Sequence, residues 1–255
     1  METVERQAEV NGLQVLWRQA GEAPILYLHG VPAAGWTWEP FLARTGGVAP
    51  DLPGFGRSDK PGDFDYTIPG YDRFIEAFCD QVGLDRVTLV MHDWGSVGLA
   101  FSQRFPERIE RIVLTSVVPF VPGYRWHRVA RAWRTPVLGE LAMGFTTRFS
   151  FRRTLPPEIA DRAYAEFDQG TQRAVLRLYR ASPPEVLGRH GEGLGEVRCP
   201  ALIEWPTRDP YIGAEFGQQL ADALGGEVQL QSVDAGHYPW LDRPEIVDRV
   251  AGFIN

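Results

Sequence analysis

The chain is expected to fold as a mostly parallel β-sheet flanked by helices, an α/β architecture, and three observations point there. Short apolar runs at residues 25–28, 87–91, 112–114 and 201–205 have the β-branched, continuous character of buried strands. Stretches of helical apolar spacing separate them, and strand–helix alternation implies parallel pairing. The alternation stops once, between residues 117 and 195, where only helical patterns follow one another. That stretch is expected to be a helical cap inserted after the sixth strand, leaving residues 1–116 and 196–255 as the sheet domain.

Taken in order, residues 8–18 predict a β-hairpin, because Asn11-Gly12 is the strongest two-residue hairpin signal. A strand at 25–28 runs into His29-Gly30-Val31-Pro32, at the strand end where binding loops collect in open α/β sheets. Trp36 to Leu42 suggests a short helix on the sheet, and 47–49 a weak strand. Residues 51–59, D-L-P-G-F-G-R-S-D, are a loop punctuated by proline and glycine. Tyr71, Phe74, Ile75, Phe78 and Val82 share one face of a helix over 71–82. Strand 87–91 follows, and from Gly95 the pattern turns helical again.

Within the cap, Arg125, Arg128 and Arg131 are expected on one helical face opposite Trp126, Val129, Ala130 and Trp133, with further helices near 159–167 and 174–179. The cap holds 12 arginines against 7 acids, a net +5, so the remainder carries −12. Its arginines are expected to be a solvated helix face. The sheet resumes at 201–205, followed by a helix near 214–224, a strand at 228–230 and a final helix over 245–253.

Composition bounds the rest. The 255 residues, 44% hydrophobic and 23% charged, suit one globular domain with a large insertion. A formal charge of −7 argues against a nucleic-acid partner, which needs a basic face. Cys79 and Cys199 are far apart and outside any Cys/His grouping, so they are expected to be buried thiols, neither a disulfide nor a metal site. Residues 1–6 lack a signal-peptide core and no apolar run is long enough to span a bilayer. A cytoplasmic protein without a membrane partner is therefore expected.

Strand 87–91 becomes a helix across His92-Asp93-Trp94-Gly95, which demands a sharp turn with Asp93 at its apex, at the C-terminal edge of the sheet. A carboxylate there, next to the free N–H groups of a helix start, could attack carbon and form an ester. It could equally be a helix N-cap. Asp209 and His237 also follow strands. Asp209 alone could be a turn residue before Pro210, and His237 a loop histidine. Together, however, they complete the chain order nucleophile, acid, histidine.

With H-G-V-P (29–32), D-L-P-G-F-G-R-S-D-K-P (51–61), H-D-W-G-S (92–96), F-P-E-R-I (105–109) and A-G-H-Y-P-W-L-D-R-P (235–244), the sequence resembles the α/β-hydrolase superfamily over nearly all its length. Within it, it resembles the aspartate-nucleophile branch of haloalkane dehalogenases and epoxide hydrolases. The resemblance implies an α/β-hydrolase fold acting on a small apolar organic substrate and water, with no cofactor and no metal. It implies that Asp93 attacks an sp3 carbon, that the Val31 and Trp94 amides form the oxyanion hole, and that His237, oriented by Asp209, activates water on the ester.

H-D-W-G-S looks most like the dehalogenases, in which the Trp after the nucleophile gives its indole N–H to the departing halide; Trp94 matches it. Val31 stands where those enzymes usually carry Asn or Glu, so a second halide donor would come from Trp126 or Trp133. The epoxide alternative needs cap tyrosines as acids, and Tyr179 in Leu178-Tyr179-Arg180 resembles one, with Tyr124 as the other. Plain packing on an amphipathic helix is the competing reading of Tyr179. A serine esterase would have to use Ser96, three residues past the apex. A non-catalytic ligand-binding protein that kept the pocket is the remaining alternative.

Overall fold

The computed structural model describes residues 1–254. Eight strands form one sheet: β1 (Val4–Val10), β2 (Leu13–Ala20), β3 (Ile25–Leu28), β4 (Gly47–Pro50), β5 (Val87–His92), β6 (Ile109–Thr115), β7 (Ala201–Pro206) and β8 (Val228–Val233). Their order is β1-β2-β4-β3-β5-β6-β7-β8. β2 runs antiparallel to β1 and β4, and every other pairing is parallel. Asn11 and Gly12 both take positive φ, 49° and 81°, as a two-residue hairpin matched to strand twist requires. All residues of β3, β4, β5 and β7 are buried, which is why their apolar runs are continuous rather than alternating.

The strand order places the site. From β3 the chain passes through α1 (Glu39–Thr45) to β4 on one side, then returns through α2 (Ile68–Val82) to β5, beyond β3. From β5 it continues through α3 (Gly98–Arg104) to β6 on the other side. The connections therefore diverge between β3 and β5, and a crevice opens at the carboxyl ends of those two strands. His29-Gly30 and Asp93 lie at those ends.

α2 starts three residues earlier than its apolar face suggests. Thr67 caps it by accepting from the Gly70 amide at 3.2 Å, Pro69 occupies its first turn, and left-handed Gly83 (φ 74°) ends it. After Asp93 the chain does not enter an α-helix at Gly95 but makes a tight 3-10 turn, Asp93–Val97, before α3. A Cβ at Gly95 would lie 2.1 Å from the Leu28 carbonyl oxygen, so the turn is wound directly against β3.

Between β6 and β7 stand six helices: α4 (Arg128–Arg134), α5 (Leu138–Gly144), α6 (Arg148–Thr154), α7 (Pro157–Ala165), α8 (Gln169–Ala181) and α9 (Pro184–His190). α8 is longer than the expected 174–179 because Asp168 caps it at the Thr171 amide, 2.9 Å away. The expected face of Trp126, Val129, Ala130 and Trp133 is not formed. His127 caps α4, which starts only at Arg128; Trp126 is buried outside the helix and Val129 is 44% exposed. Cys199, expected to be buried, is half-buried. The chain ends in α10 (Glu215–Ala223), α11 (Pro239–Asp242) and α12 (Glu245–Ile254).

One buried ion pair anchors the loop beneath the crevice. Arg18 on β2 donates to Asp51 at 2.8 Å, and Asp51 also accepts from the Gly35 and Arg57 amides at 2.8 and 2.9 Å. Both side chains are almost fully buried. Removing one partner of such a pair leaves a charge in low dielectric, so Arg18→Ala should lower the unfolding free energy by about 3–5 kcal/mol. Urea denaturation of the variant checks this, and a loss under about 1 kcal/mol would contradict it.

Candidate active site

Asp93 adopts φ 49°, a left-handed conformation that a non-glycine residue holds only where its surroundings enforce it. Its amide donates to the Ser116 carbonyl at 3.1 Å and its carbonyl accepts from the Val118 amide at 3.0 Å, so the segment after β6 grips the turn from both sides. On the opposite flank, a Cβ at Gly30 would meet Asp93 Cβ at 2.4 Å; only glycine leaves room for the aspartate. His29 fixes that approach, its ring accepting from the Leu52 amide through Nε2 and donating to the Gly30 carbonyl through Nδ1, both at 2.9 Å. Burial pushes its pKa down to about 4, which keeps it neutral in this role.

The Val31 amide donates to Asp93 Oδ2 at 2.8 Å, and the Trp94 amide lies close enough to favour the ionised carboxylate. Burial raises the Asp93 pKa above the usual carboxylate range, against the pull of His237 and the two amides. His237 Nδ1 lies 2.7 Å from Asp209 Oδ2. Because an ionised carboxylate only accepts, the proton sits on Nδ1, and Nε2 faces Asp93 Oδ1 at 4.0 Å, too far for a hydrogen bond. Asp209 Oδ1 accepts from the Tyr211 and Ile212 amides at 2.7 and 3.2 Å. Burial opposes ionisation of Asp209, but His237 and these amides outweigh it and hold its pKa down. Burial pulls His237 down, and the Asp209 charge and hydrogen bond, with Asp93 adding, raise it above its ordinary value.

Asp93 and His237 line a cavity of about 750 Å3, its open mouth included, whose other walls are mainly apolar and aromatic. Among the described residues no cluster of His, Cys, Asp and Glu is placed to hold a metal ion.

Three comparisons bear on this arrangement. The sequence profile of the alpha/beta hydrolase family matches residues 25–250. The chain belongs to that family. A haloalkane dehalogenase of Psychrobacter cryohalolentis is 40% identical over 89% of this chain and 81% of its own length. A cis-3-alkyl-4-alkyloxetan-2-one decarboxylase of Shewanella oneidensis is 26% identical over 96% of this chain and 86% of its own. The crystal structure of a haloalkane dehalogenase from Bradyrhizobium elkani USDA94 superposes with a TM-score of 0.83 over 99% and 98% of the two chains; at 24% identity that likeness shows the fold. This alpha/beta hydrolase is thus a dehalogenase-like hydrolase.

The structure brings Asp93, Asp209, His237 and Val31 together as the sequence suggested. Trp94 is buried behind them, and its Nε1 has no protein hydrogen-bond partner. Its ring stacks on Trp126 at 5.5 Å and meets Tyr179 edge-on at 5.3 Å. The Tyr179 hydroxyl is close enough for the indole N–H to ease its ionisation, but the pair does not reach hydrogen-bond geometry. Trp126 lines the cavity, yet its indole N–H is spent on the Ser182 carbonyl at 2.8 Å. The expected halide donor there is already satisfied. Trp133 lies at the cavity wall against the Tyr179 ring. Tyr124 is 2% exposed and its hydroxyl has no protein partner. Burial raises the pKa of both phenols, and the Asp93 charge adds to it. Ser96 is fully buried and absent from the cavity wall.

Sequence reasoning missed His92 and Tyr211. His92 Nε2 donates to the His237 carbonyl at 2.8 Å, holding the loop that carries the imidazole. No sequence pattern marks a contact spanning 145 residues. Tyr211 lines the cavity, and its amide closes the Asp209 turn; the Asp-Pro-x-x run was a legible signal for that turn.

NMR titration of ring-labelled histidine should find His237 above about 6.5. In Asp209→Asn, burial is opposed by Asp93 alone, so the titration should move to lower pH. An unmoved titration would remove Asp209 as the cause.

Proposed function

We propose that this protein hydrolyses small apolar organic molecules through a covalent ester on Asp93, and that the bond it breaks is carbon–halogen. The observation that carries the reading is a carboxylate in a left-handed turn, backed by the Val31 amide at 2.8 Å and faced across 4.0 Å by an imidazole held on Asp209. With Oδ2 engaged, Oδ1 attacks the sp3 carbon as the carbon–halogen pair leaves with the halide. The Trp94 indole N–H, buried without a protein partner, supports a role in receiving that charge. His237 Nε2 then takes a proton from water as the hydroxide adds to the ester carbon of Asp93. The Val31 and Trp94 amides stabilise the resulting oxyanion; as it collapses, the expelled alkoxide takes the proton held on His237 and leaves as the alcohol, and Asp93 returns to carboxylate by losing its remaining proton to solvent.

In this reading residues 117–195 form the cap and supply Tyr124, Trp126, Trp133 and Tyr179 to the cavity. Two free cysteines suit a reducing compartment and support a cytoplasmic location. The hydrogen bonds that hold the Asp93 turn, and the burial of Ser96 away from the cavity wall, argue against a serine esterase.

Asp93→Ala should fold normally and lose turnover by roughly a thousandfold or more. His237→Gln blocks only the second half-reaction, so incubation with 1-bromobutane should leave a butyl-sized increment on Asp93 in intact-mass and peptide spectra. An adduct never seen while the parent turns over would defeat the ester mechanism.

A second reading, epoxide opening, is favoured by the buried unpartnered hydroxyl of Tyr124 and by Tyr179 beside it, since a phenol can protonate a leaving oxygen and an indole cannot. Bromide release from a short bromoalkane, mostly lost in Trp94→Phe and little changed in Tyr179→Phe, is the expected outcome. Diol formation from styrene oxide without bromide release, collapsing in Tyr179→Phe, would reverse the choice.

A further inference from the structure

The large apolar side chains that face solvent are not scattered. Apart from Met1 and Val4 at the N-terminus, those of the described residues are Val129, Val137, Leu138, Leu141, Phe145 and Phe149, all within α4 to α6. Phe145 is 81% exposed and Phe149 68%. Leu138, Leu141 and Phe145 follow the three- and four-residue spacing that normally lays a helix on a core, but here the stripe points outward. The opposite face of α5 is already packed, with Gly139 and Met143 buried and α4 and α8 against it. An outward stripe of this kind, continued by Phe149 on the next helix, marks an interaction surface.

The unpaired charges on α4 to α6 are of one sign. Between residues 125 and 157 the sequence has seven arginines and one acid, Glu140. Glu140 is held by both guanidinium nitrogens of Arg180, and Arg148 and Arg152 pair with Asp161. Arg125, Arg128, Arg131 and Arg153 are exposed and form no ion pair among the described residues; Arg153 lies over the Phe149 ring. A two-fold contact between copies would set these unpaired arginines against themselves, with no free acid in the patch to offset them. Charge complementarity instead favours an anionic partner that is also apolar.

We propose that the outer face of α4 to α6 docks on an anionic lipid surface, Phe145, Phe149, Leu138 and Leu141 entering the interface while Arg128, Arg131 and Arg153 meet headgroup charge. No helix of the described residues is long and apolar enough to cross a membrane, so this is attachment in the plane of the interface. The arginine face read from sequence as merely solvated then acquires a partner. The surface also adjoins the cavity mouth: Val129 belongs to both, and Thr146, next to Phe145, lines the cavity. The inference holds whichever bond Asp93 attacks.

Co-sedimentation of the whole protein with vesicles tests it. Binding to mixed phosphatidylcholine and phosphatidylglycerol vesicles should exceed binding to pure phosphatidylcholine at least tenfold at low salt and fall as salt rises. Arg128→Ala and Arg131→Ala should each weaken it roughly fivefold, the equivalent of about 1 kcal/mol. Phe145→Ser/Phe149→Ser should abolish it with the melting temperature unchanged, as both rings lie outside the core. Equal binding to both vesicle types, no binding to either, or binding that survives the double substitution would overturn the proposal. So would self-association in sedimentation equilibrium that the double substitution abolishes, which would give the face to a second copy.

Discussion

The left-handed turn at Asp93 is the constraint on which the rest of the site depends. A non-glycine residue in that conformation costs of order 1–3 kcal/mol and reverts unless the surroundings forbid it. Here the forbidding parts come from three places in the chain. Ser116 and Val118 grip the backbone of Asp93, Gly30 vacates the space its side chain fills, and Gly95 lets the following turn lie against the Leu28 carbonyl. Each depends on β3, β5 and β6 lying side by side in parallel register. The sheet order is thus a requirement of the turn as much as its setting.

Burial then does opposite things to the two groups that face each other. It pushes Asp93 towards its neutral form and His237 towards its own, and the amides and Asp209 push back. His237 first, and then the Val31 and Trp94 N–H groups, favour the ionised form of Asp93, and the backbone amides do so with no side-chain entropy to lose. Under the proposed mechanism the same amides would also face the oxyanion of the ester, so stabilising the resting carboxylate and stabilising that oxyanion would need no separate machinery.

Much of this was legible in the chain because it is local. Asn11-Gly12 fixes its hairpin, H-D-W-G-S marks a strand-to-helix turn, and Asp209 and His237 announce themselves by following apolar strands. What was not legible is what depends on distant partners. Trp126 reads as a free indole until the Ser182 carbonyl, 56 residues away, is found to accept from it. His92 reads as the first residue of the turn after strand 87–91, although it bonds the His237 carbonyl. The start of α4 was misread because capping by His127 overrides an apolar pattern that extends through Trp126. Periodicity also has no sign: the Leu138, Leu141, Phe145 stripe has the spacing of a buried face and is exposed.

The polar groups left without partners in and behind the cavity bear on what the site can select. A buried donor without a partner costs about 1–3 kcal/mol, and Trp94 Nε1 and the Tyr124 hydroxyl both carry that cost beside Asp93. The walls offer them little else, being apolar and aromatic, and Trp126 has already spent its N–H. A substrate that gives these donors an acceptor therefore recovers energy that a plain hydrocarbon of the same shape cannot. If the acceptor is more negative in the transition state than in the ground state, the recovery favours reaction over binding. A departing halide and an opening ring oxygen both meet that condition. Which of them is better served turns on the donors' acidity: an indole N–H can solvate a charge but not surrender a proton, and only the phenols can do both.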